Sequence, residues 1–256
     1  MFHSVTEKSN TVTSNSEVSK NFLETYDLFA KEKISTERSK ARDKTISPSA
    51  ACMRQNWFRL RGSEPDTIDT PDLTLDFMTT IGTACHEMIQ KNLQVGLKDD
   101  WIDVSEYIRS QKFPYEIQCC QYGMETRLTV PEFCLKCACD GIVKINDTYY
   151  LLEIKTSDYI SFSKLEGIKD KHRLQVSIYS AVLNLPNVLM LYVDRTYGSM
   201  KCFQYYISPE QRTSTLNSLK NLIDLAEKCL PPDKLPYGSP QCASNMCPYY
   251  KKCKDW

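Results

Sequence analysis

Residues 140–155 read Asp-Gly-Ile-Val-Lys-Ile-Asn-Asp-Thr-Tyr-Tyr-Leu-Leu-Glu-Ile-Lys. Two runs of aliphatic, β-branched and aromatic side chains flank Asn146-Asp147. Both central residues tolerate positive φ, so the pair suits a two-residue hairpin loop. A hairpin closed there sets Ile145 against Thr148 and, counting outward, Asp140 against Glu153. Directly opposed residues have Cβ atoms about 4.5–5.5 Å apart. Lys155, two positions beyond Glu153, projects from the same face. Strand geometry alone therefore gathers two carboxylates and an amine at the open end of one hairpin.

Like charges opposed across a sheet destabilise it unless something lies between them. A divalent cation fits that place. Mg²⁺ or Mn²⁺ takes hard oxygen ligands and tolerates one or two carboxylates together with phosphate and water. Such an ion polarises a phosphate and activates water, and Lys155 is placed to stabilise charge on the reacting phosphate. The backbone carbonyl of Ile154 is a further candidate ligand. Ordinary solvated charges on a surface hairpin are the alternative for this segment taken alone.

Two flanking helices bear on the choice. One is expected to open at Pro71, with Thr70 as its cap, and to run to about Leu93. It carries Gly82 and His86 one turn apart on one face. Glycine admits a close neighbour, and His86 offers an imidazole to the same metal, which favours Mn²⁺ somewhat. A half-buried helix histidine is the plainer alternative. The other helix, expected over about 170–184, carries Gln175 and Tyr179 four apart. Their amide and phenol suit hydrogen bonds to a phosphate or a nucleotide edge. Lys169, Lys171, His172 and Arg173 precede them as a basic run suited to a DNA groove.

The chain has 256 residues, of which 41% are hydrophobic, enough for one domain with a modest extension. With 32 basic and 32 acidic side chains the formal net charge is zero. Nucleic-acid binding would thus rest on a local groove and bound metal rather than on a bulk basic charge. The opening MFHSVTEKSN lacks an apolar core, so no secretory signal is expected, and no apolar run is long enough for a bilayer. A soluble, cytoplasmic protein is expected, in the host cytoplasm if phage-encoded. Its 12 cysteines are then poor disulfide candidates, and metal ligation is the first explanation to try.

Residues 1–45 read as a flexible extension with a short amphipathic helix around Phe22, Leu23, Tyr26 and Phe29. Residues 46–230 read as the core, with a helix at about 48–61 and strands over about 115–157. Further strands are expected at 188–195 and 201–207, then a helix capped by Ser208. Residues 231–256 form a Pro- and Cys-rich tail expected to be irregular. No Walker-type glycine loop is present, which excludes an ATP motor within these residues.

The ordered set Gly82-x3-His86, Asp140-Gly, Glu153-x-Lys155-Thr and Gln175-x3-Tyr179 resembles the RecB-like branch of the PD-(D/E)XK nucleases. That group includes phage-type exonucleases and CRISPR-associated RecB-like exonucleases. The resemblance spans roughly residues 48–256. It implies an α/β fold with a central mixed sheet flanked by helices, and metal-dependent hydrolysis of DNA phosphodiesters. It implies that His86, Asp140 and Glu153 are metal ligands, that Lys155 is catalytic, and that Gln175 and Tyr179 contact substrate. Glu125, on the preceding strand, matches a place where relatives often carry an acidic residue.

Cys52 near the start of the core and Cys242, Cys247 and Cys253 in the tail resemble the cysteines of iron-staple nucleases, which hold a [4Fe-4S] cluster this way. Such a staple closes a long loop, which is stabilising on entropic grounds. The tail departs from that family's usual spacing in its Cys242-x4-Cys247, and four thiolates also suit a structural Zn²⁺. Cys137 and Cys139 share a strand face and read as core residues. The resemblance implies an exonuclease of DNA recombination, replication or repair, with DNA and a recombination or replication complex as partners. A CRISPR-adaptation trimming nuclease and a non-catalytic, zinc-stapled DNA-binding module are the alternatives.

Overall fold

The hairpin forms with the expected register. In the computed structural model, β5 (Gly141–Ile145) pairs antiparallel with β6 (Thr148–Ser157), Ile145 opposite Thr148 and Gly141 opposite Leu152. Asn146 and Asp147 turn the chain with φ of 47° and 62°, the left-handed pair that a tight hairpin of this twist requires. The structure describes residues 17–38, 44–50, 52–66, 73–119, 126–236, 238–239, 242 and 247–255.

The hairpin is the middle of a five-stranded mixed sheet of order β1-β5-β6-β7-β8. β1 (Trp101–Ile102) edges β5, and β7 (Asn187–Asp194) runs parallel to β6. β8 (Met200–Tyr206) returns antiparallel beside β7. A second, three-stranded antiparallel sheet comprises β2 (Glu116–Cys119), β3 (Thr126–Val130) and β4 (Leu135–Cys139). The chain thus changes sheets between Cys139 and Gly141, at Asp140. The sequence reads as continuous strand there, and the break comes from tertiary pairing that local propensity does not encode.

Alternation along the central strands assigns the two faces. Val143, Leu152, Ile154 and Val193 join Ile89 of α3 (Leu73–Leu97), with Leu93, Leu97 and Trp101 against them. Ile142, Leu151, Val188, Met190 and Tyr192 belong to the larger core. That core also takes in α2 (Met53–Leu60), α6 (Asp170–Leu183) and α7 (Pro209–Glu227). A central mixed sheet flanked by helices is the expected class. The capping box at Ser208 is present: its hydroxyl accepts from Gln211 N, while the Gln211 side chain accepts from Ser208 N.

Several elements run past their sequence-based expectations. α1 (Glu17–Arg38) is far longer than the segment around Phe22–Phe29, and α3 continues to Leu97. α4 (Val104–Ser110) and α5 (Tyr159–Ser163) start at aspartate caps, Asp103 and Asp158. The tail, expected to be irregular, contains α8 (Tyr250–Lys254). Two units are distinguishable, Met1–Ala41 with Ile68–Thr79, and Arg42–Thr67 with Thr80–Trp256. All sheet strands and every candidate site residue fall in the second. Among the described residues no helix is long and apolar enough to cross a membrane. The expected Thr70 cap and Pro71 start lie outside the described residues.

Candidate active site

Asp140 occupies the switch between the two sheets, one residue beyond the last β5–β6 pair. Its Oδ2 accepts a hydrogen bond from Ile154 N at 2.7 Å, replacing the ladder partner that β5 no longer supplies. In an antiparallel pair one residue's N–H and C=O face the same neighbour, so the Ile154 carbonyl projects to the Asp140 side. Asp140's own carbonyl accepts from Gln90 Nε2 at 2.6 Å. Asp140 is therefore pinned on both its carboxylate and its backbone.

α3 presents a stripe of Gly82, His86 and Gln90 at intervals of four, one face of a helix. His86 Nδ1 lies 3.4 Å from Asp140 Oδ1. A Cβ at Gly82 would meet Thr156 Oγ1 at 3.3 Å. The close neighbour that glycine admits is thus a β6 side chain. Gln90 escaped the sequence reading, yet it continues the Gly82–His86 stripe by one more turn, and that period was the available signal. Gly141 has an equally local cause. Its Cβ would meet the Trp101 indole at 2.6 Å, so the glycine after Asp140 makes room for β1's aromatic ring.

Glu153 is 2% exposed. Its Oε1 accepts from Lys155 Nζ at 2.5 Å and from Gln175 Nε2 at 2.7 Å. The same Gln175 nitrogen reaches Tyr179 OH at 3.2 Å. Gln175 and Tyr179 are both buried. As arranged, they hold the Glu153 carboxylate rather than presenting an open polar face. Burial opposes the charged form of Lys155, but the charges of Glu153 and Asp140 outweigh it and hold the ammonium above its ordinary pKa. Lys155 is thus a cation suited to electrostatic stabilisation rather than a free base. Burial first, then the Glu153 charge, pushes the Tyr179 phenol well up, so it stays neutral.

The basic run at the start of α6 divides. Lys171 is lowered by burial and then by the nearby charges of Lys169 and Lys155. His172 Nδ1 is 2.7 Å from Tyr192 OH, which also accepts from Lys169 N at 3.2 Å. Burial, then the Lys155 and Lys171 charges, drive His172 down to about 3, leaving it neutral. Arg173 turns away, donating to Ile168 O at 3.1 Å and lying over the Tyr205 ring. Glu125 lies outside the described residues.

The cysteine tail docks on α2. Asp66 N donates to Pro248 O, Lys251 N donates to Asp66 Oδ2, and Tyr249 stacks on Phe58 with centroids 5.0 Å apart. Cys52 caps α2, its Sγ accepting from Gln55 N at 3.4 Å. Burial raises the Cys247 thiol, and the charges of Cys52, Cys253 and Cys242 each add to the rise. Among the described residues no three His, Cys, Asp or Glu side chains converge as a metal-holding group. Cys137 and Cys139 are core residues as expected, and burial pushes Cys137 up to about 12.

No family model matches the chain, and no curated protein matches it. Among solved structures, SSO0001 is similar at 13% identity and a TM-score of 0.47, covering 90% of this chain and 96% of that one. LHK-Exo in complex with dAMP is similar at 13% identity and a TM-score of 0.39, over 73% of this chain and 90% of that one. The alkaline exonuclease LHK-Exo from Laribacter hongkongensis is similar at 16% identity and 0.36, over 76% and 97%.

Proposed function

We propose that the chain is a divalent-metal-dependent deoxyribonuclease, an exonuclease of the RecB-like PD-(D/E)XK type acting in DNA recombination, replication or repair. One observation carries this reading. Asp140, pinned at the sheet switch, and the buried Glu153, paired with Lys155, both lie at the open end of one hairpin. Together the three carry one net negative charge, and the donor set of carboxylates, imidazole and the Ile154 carbonyl suits Mg²⁺ or Mn²⁺. Asp140, Glu153, His86 and the Ile154 carbonyl would hold the ion, which supplies Lewis-acid charge at the scissile phosphate.

The chain's own residues do the rest. The Lys155 ammonium stabilises charge developing on the phosphate oxygens. Gln175 fixes the Glu153 carboxylate, backed by Tyr179, and Gln90 fixes the Asp140 peptide, so the reacting geometry is set before substrate arrives. The test is digestion of end-labelled DNA with Mn²⁺ or with EDTA. Cleavage that requires Mn²⁺ and disappears in Asp140→Ala is expected. Cleavage unaffected by EDTA, or retained in Asp140→Ala, refutes the assignment.

The tail reading rests on the docking of residues 248–252 near α2, the helix that Cys52 caps. The thiols of Cys52, Cys242, Cys247 and Cys253 would hold a [4Fe-4S] cluster, a structural tie between the start and end of the core. Anaerobically purified protein should be brown with a broad absorbance shoulder. A colourless protein carrying stoichiometric zinc would replace the cluster with Zn²⁺.

A further inference from the structure

Just past the candidate site the surface carries two exposed tyrosines. Tyr159 is 50% and Tyr197 72% exposed, and their rings meet edge to face with centroids 5.2 Å apart. Ile160 and Met200, the neighbours of Tyr159 and of the turn that holds Tyr197, are also exposed. Tyr159 opens α5, and Tyr197 sits in the turn between β7 and β8. Tyr159 lies four positions beyond Lys155, so their backbones lie at most about 14 Å apart. That is on the order of four stacked nucleotides at about 3.4 Å each.

Both tyrosines are held by rigid supports. Asp194, fully buried, accepts from Thr196 N at 2.9 Å and from Tyr197 N at 3.2 Å, one carboxylate oxygen for each. Arg195 N ties the same turn to Ser157 O at 2.9 Å. Asp158 caps α5 through Ser161 N at 2.9 Å. Lys201 bridges α5 to β8, donating to the carbonyls of Phe162 and Leu165. Large aromatic rings displayed on a preorganised frame present π-faces at little entropic cost. At the same sheet end, Lys169 N donates to the hydroxyl of Tyr192, which pairs with Lys155 across β6 and β7, so Lys169 and Lys171 offer cations for a phosphate chain close to the candidate site.

We propose that Tyr159 and Tyr197 form a stacking platform for the bases of single-stranded DNA leading to or from the cleavage site. The inference rests on the nuclease reading above and names the form of its substrate. Aromatic faces beside a basic track are what a single strand requires, because its bases are free to stack while its backbone is neutralised. A duplex keeps its base faces to itself. The platform therefore selects single strands or frayed ends.

The test measures binding by fluorescence anisotropy in EDTA, with labelled oligothymidylate and an abasic oligomer of equal length. Wild type is expected to hold the base-bearing strand at least about tenfold more tightly than the abasic one. Tyr159→Ser/Tyr197→Ser should lose that preference and keep its abasic affinity, while Tyr197→Trp should keep the preference. Both positions are exposed, and circular dichroism of each variant is the check that it folds. A double variant that still binds oligothymidylate like wild type overturns the proposal, as does a wild type blind to the difference between the probes. A double variant altered only in self-association by light scattering also overturns it, marking a protein interface. Base-dependent binding without Mn²⁺-dependent cleavage would sink the nuclease reading and leave the platform standing.

Discussion

Gly141→Ala tests whether the sheet switch that carries Asp140 is as tightly built as its contacts indicate. Gly141 has an ordinary strand φ, so alanine brings no backbone strain and the effect is steric alone. The added methyl would lie 2.6 Å from one Trp101 indole carbon and 3.2 Å from two others. Carbon atoms prefer about 3.5–4.0 Å, so the ring must move by roughly 1 Å. Trp101 is half-buried and packs with Val143, Leu152 and Ile154 under α3, so moving its ring disturbs that contact. Overpacking of this kind costs about 1–3 kcal/mol, or about 2–12 °C in melting temperature for a unit of this size. The displaced strand start carries Asp140 with it, and an error near 1 Å at a reacting group costs on the order of 100-fold in rate. Urea unfolding and kcat under saturating Mn²⁺ and DNA report the two effects. Trp101→Leu should relieve the clash, so the Gly141→Ala/Trp101→Leu pair should be more stable than the sum of the single changes by at least about 1 kcal/mol. A Gly141→Ala protein within about 0.5 kcal/mol of wild type, or additive effects in the pair, would refute the steric account.

Glu153→Gln keeps the shape of a buried side chain and removes its charge; kcat should fall on the order of 10³-fold or more, and near-normal turnover would remove Glu153 from the site. Tyr249→Ala strips the ring stacked on Phe58 and should cost about 3–5 kcal/mol by urea unfolding; a loss under about 1 kcal/mol would mean that the tail contributes little to the fold. Cys247→Ser should abolish the absorbance shoulder and lower solubility, and an unchanged spectrum would exclude Cys247 as a cluster ligand. His172 is held at about 3 in the fold against an ordinary 6.5. The unfolded chain therefore binds the proton first, and His172's share of stability, full above 6.5, is lost as pH falls toward 3. Urea midpoints measured from pH 7 to 4 should drop more steeply for wild type than for His172→Gln, and parallel curves would contradict the buried neutral imidazole.

The hairpin was legible in the sequence because its determinants are local. Two residues tolerant of positive φ fix the turn, and the turn fixes the register out to Asp140 and Glu153. The helices carrying His86, Gln175 and Tyr179 were legible for the same reason, since their periodicity is written in neighbouring residues. What was not legible depends on distant partners. The parallel pairing of β6 with β7 follows from a crossover through α5 and α6. The change of sheet at Asp140 follows from where β4 and β5 find separate partners. The roles of Gln175 and Tyr179 were read as polar groups free for substrate, and their burial against Glu153 emerged only with the packing of α6 on the sheet.

That packing explains how two carboxylates are sustained at one buried hairpin end. An unpaired buried carboxylate is costly, and each here is met by a different element. Asp140 escapes the ladder and so can spend one oxygen on the Ile154 amide and turn the other toward His86 on α3. Glu153 stays within the ladder, and its oxygen is met by Lys155 of its own strand and Gln175 of α6. The opposite faces of the sheet thus each supply a helix that holds one carboxylate, and the two acids reach their positions independently. A defect in α6 should therefore loosen Glu153 while leaving Asp140 clamped. Gln175→Leu, which keeps the volume and removes the amide, is expected to lower kcat and to weaken metal binding by less than Asp140→Ala, which removes a ligand outright. An equal loss of metal affinity in the two variants would show that the carboxylates are positioned as one unit and that the division between the faces is wrong.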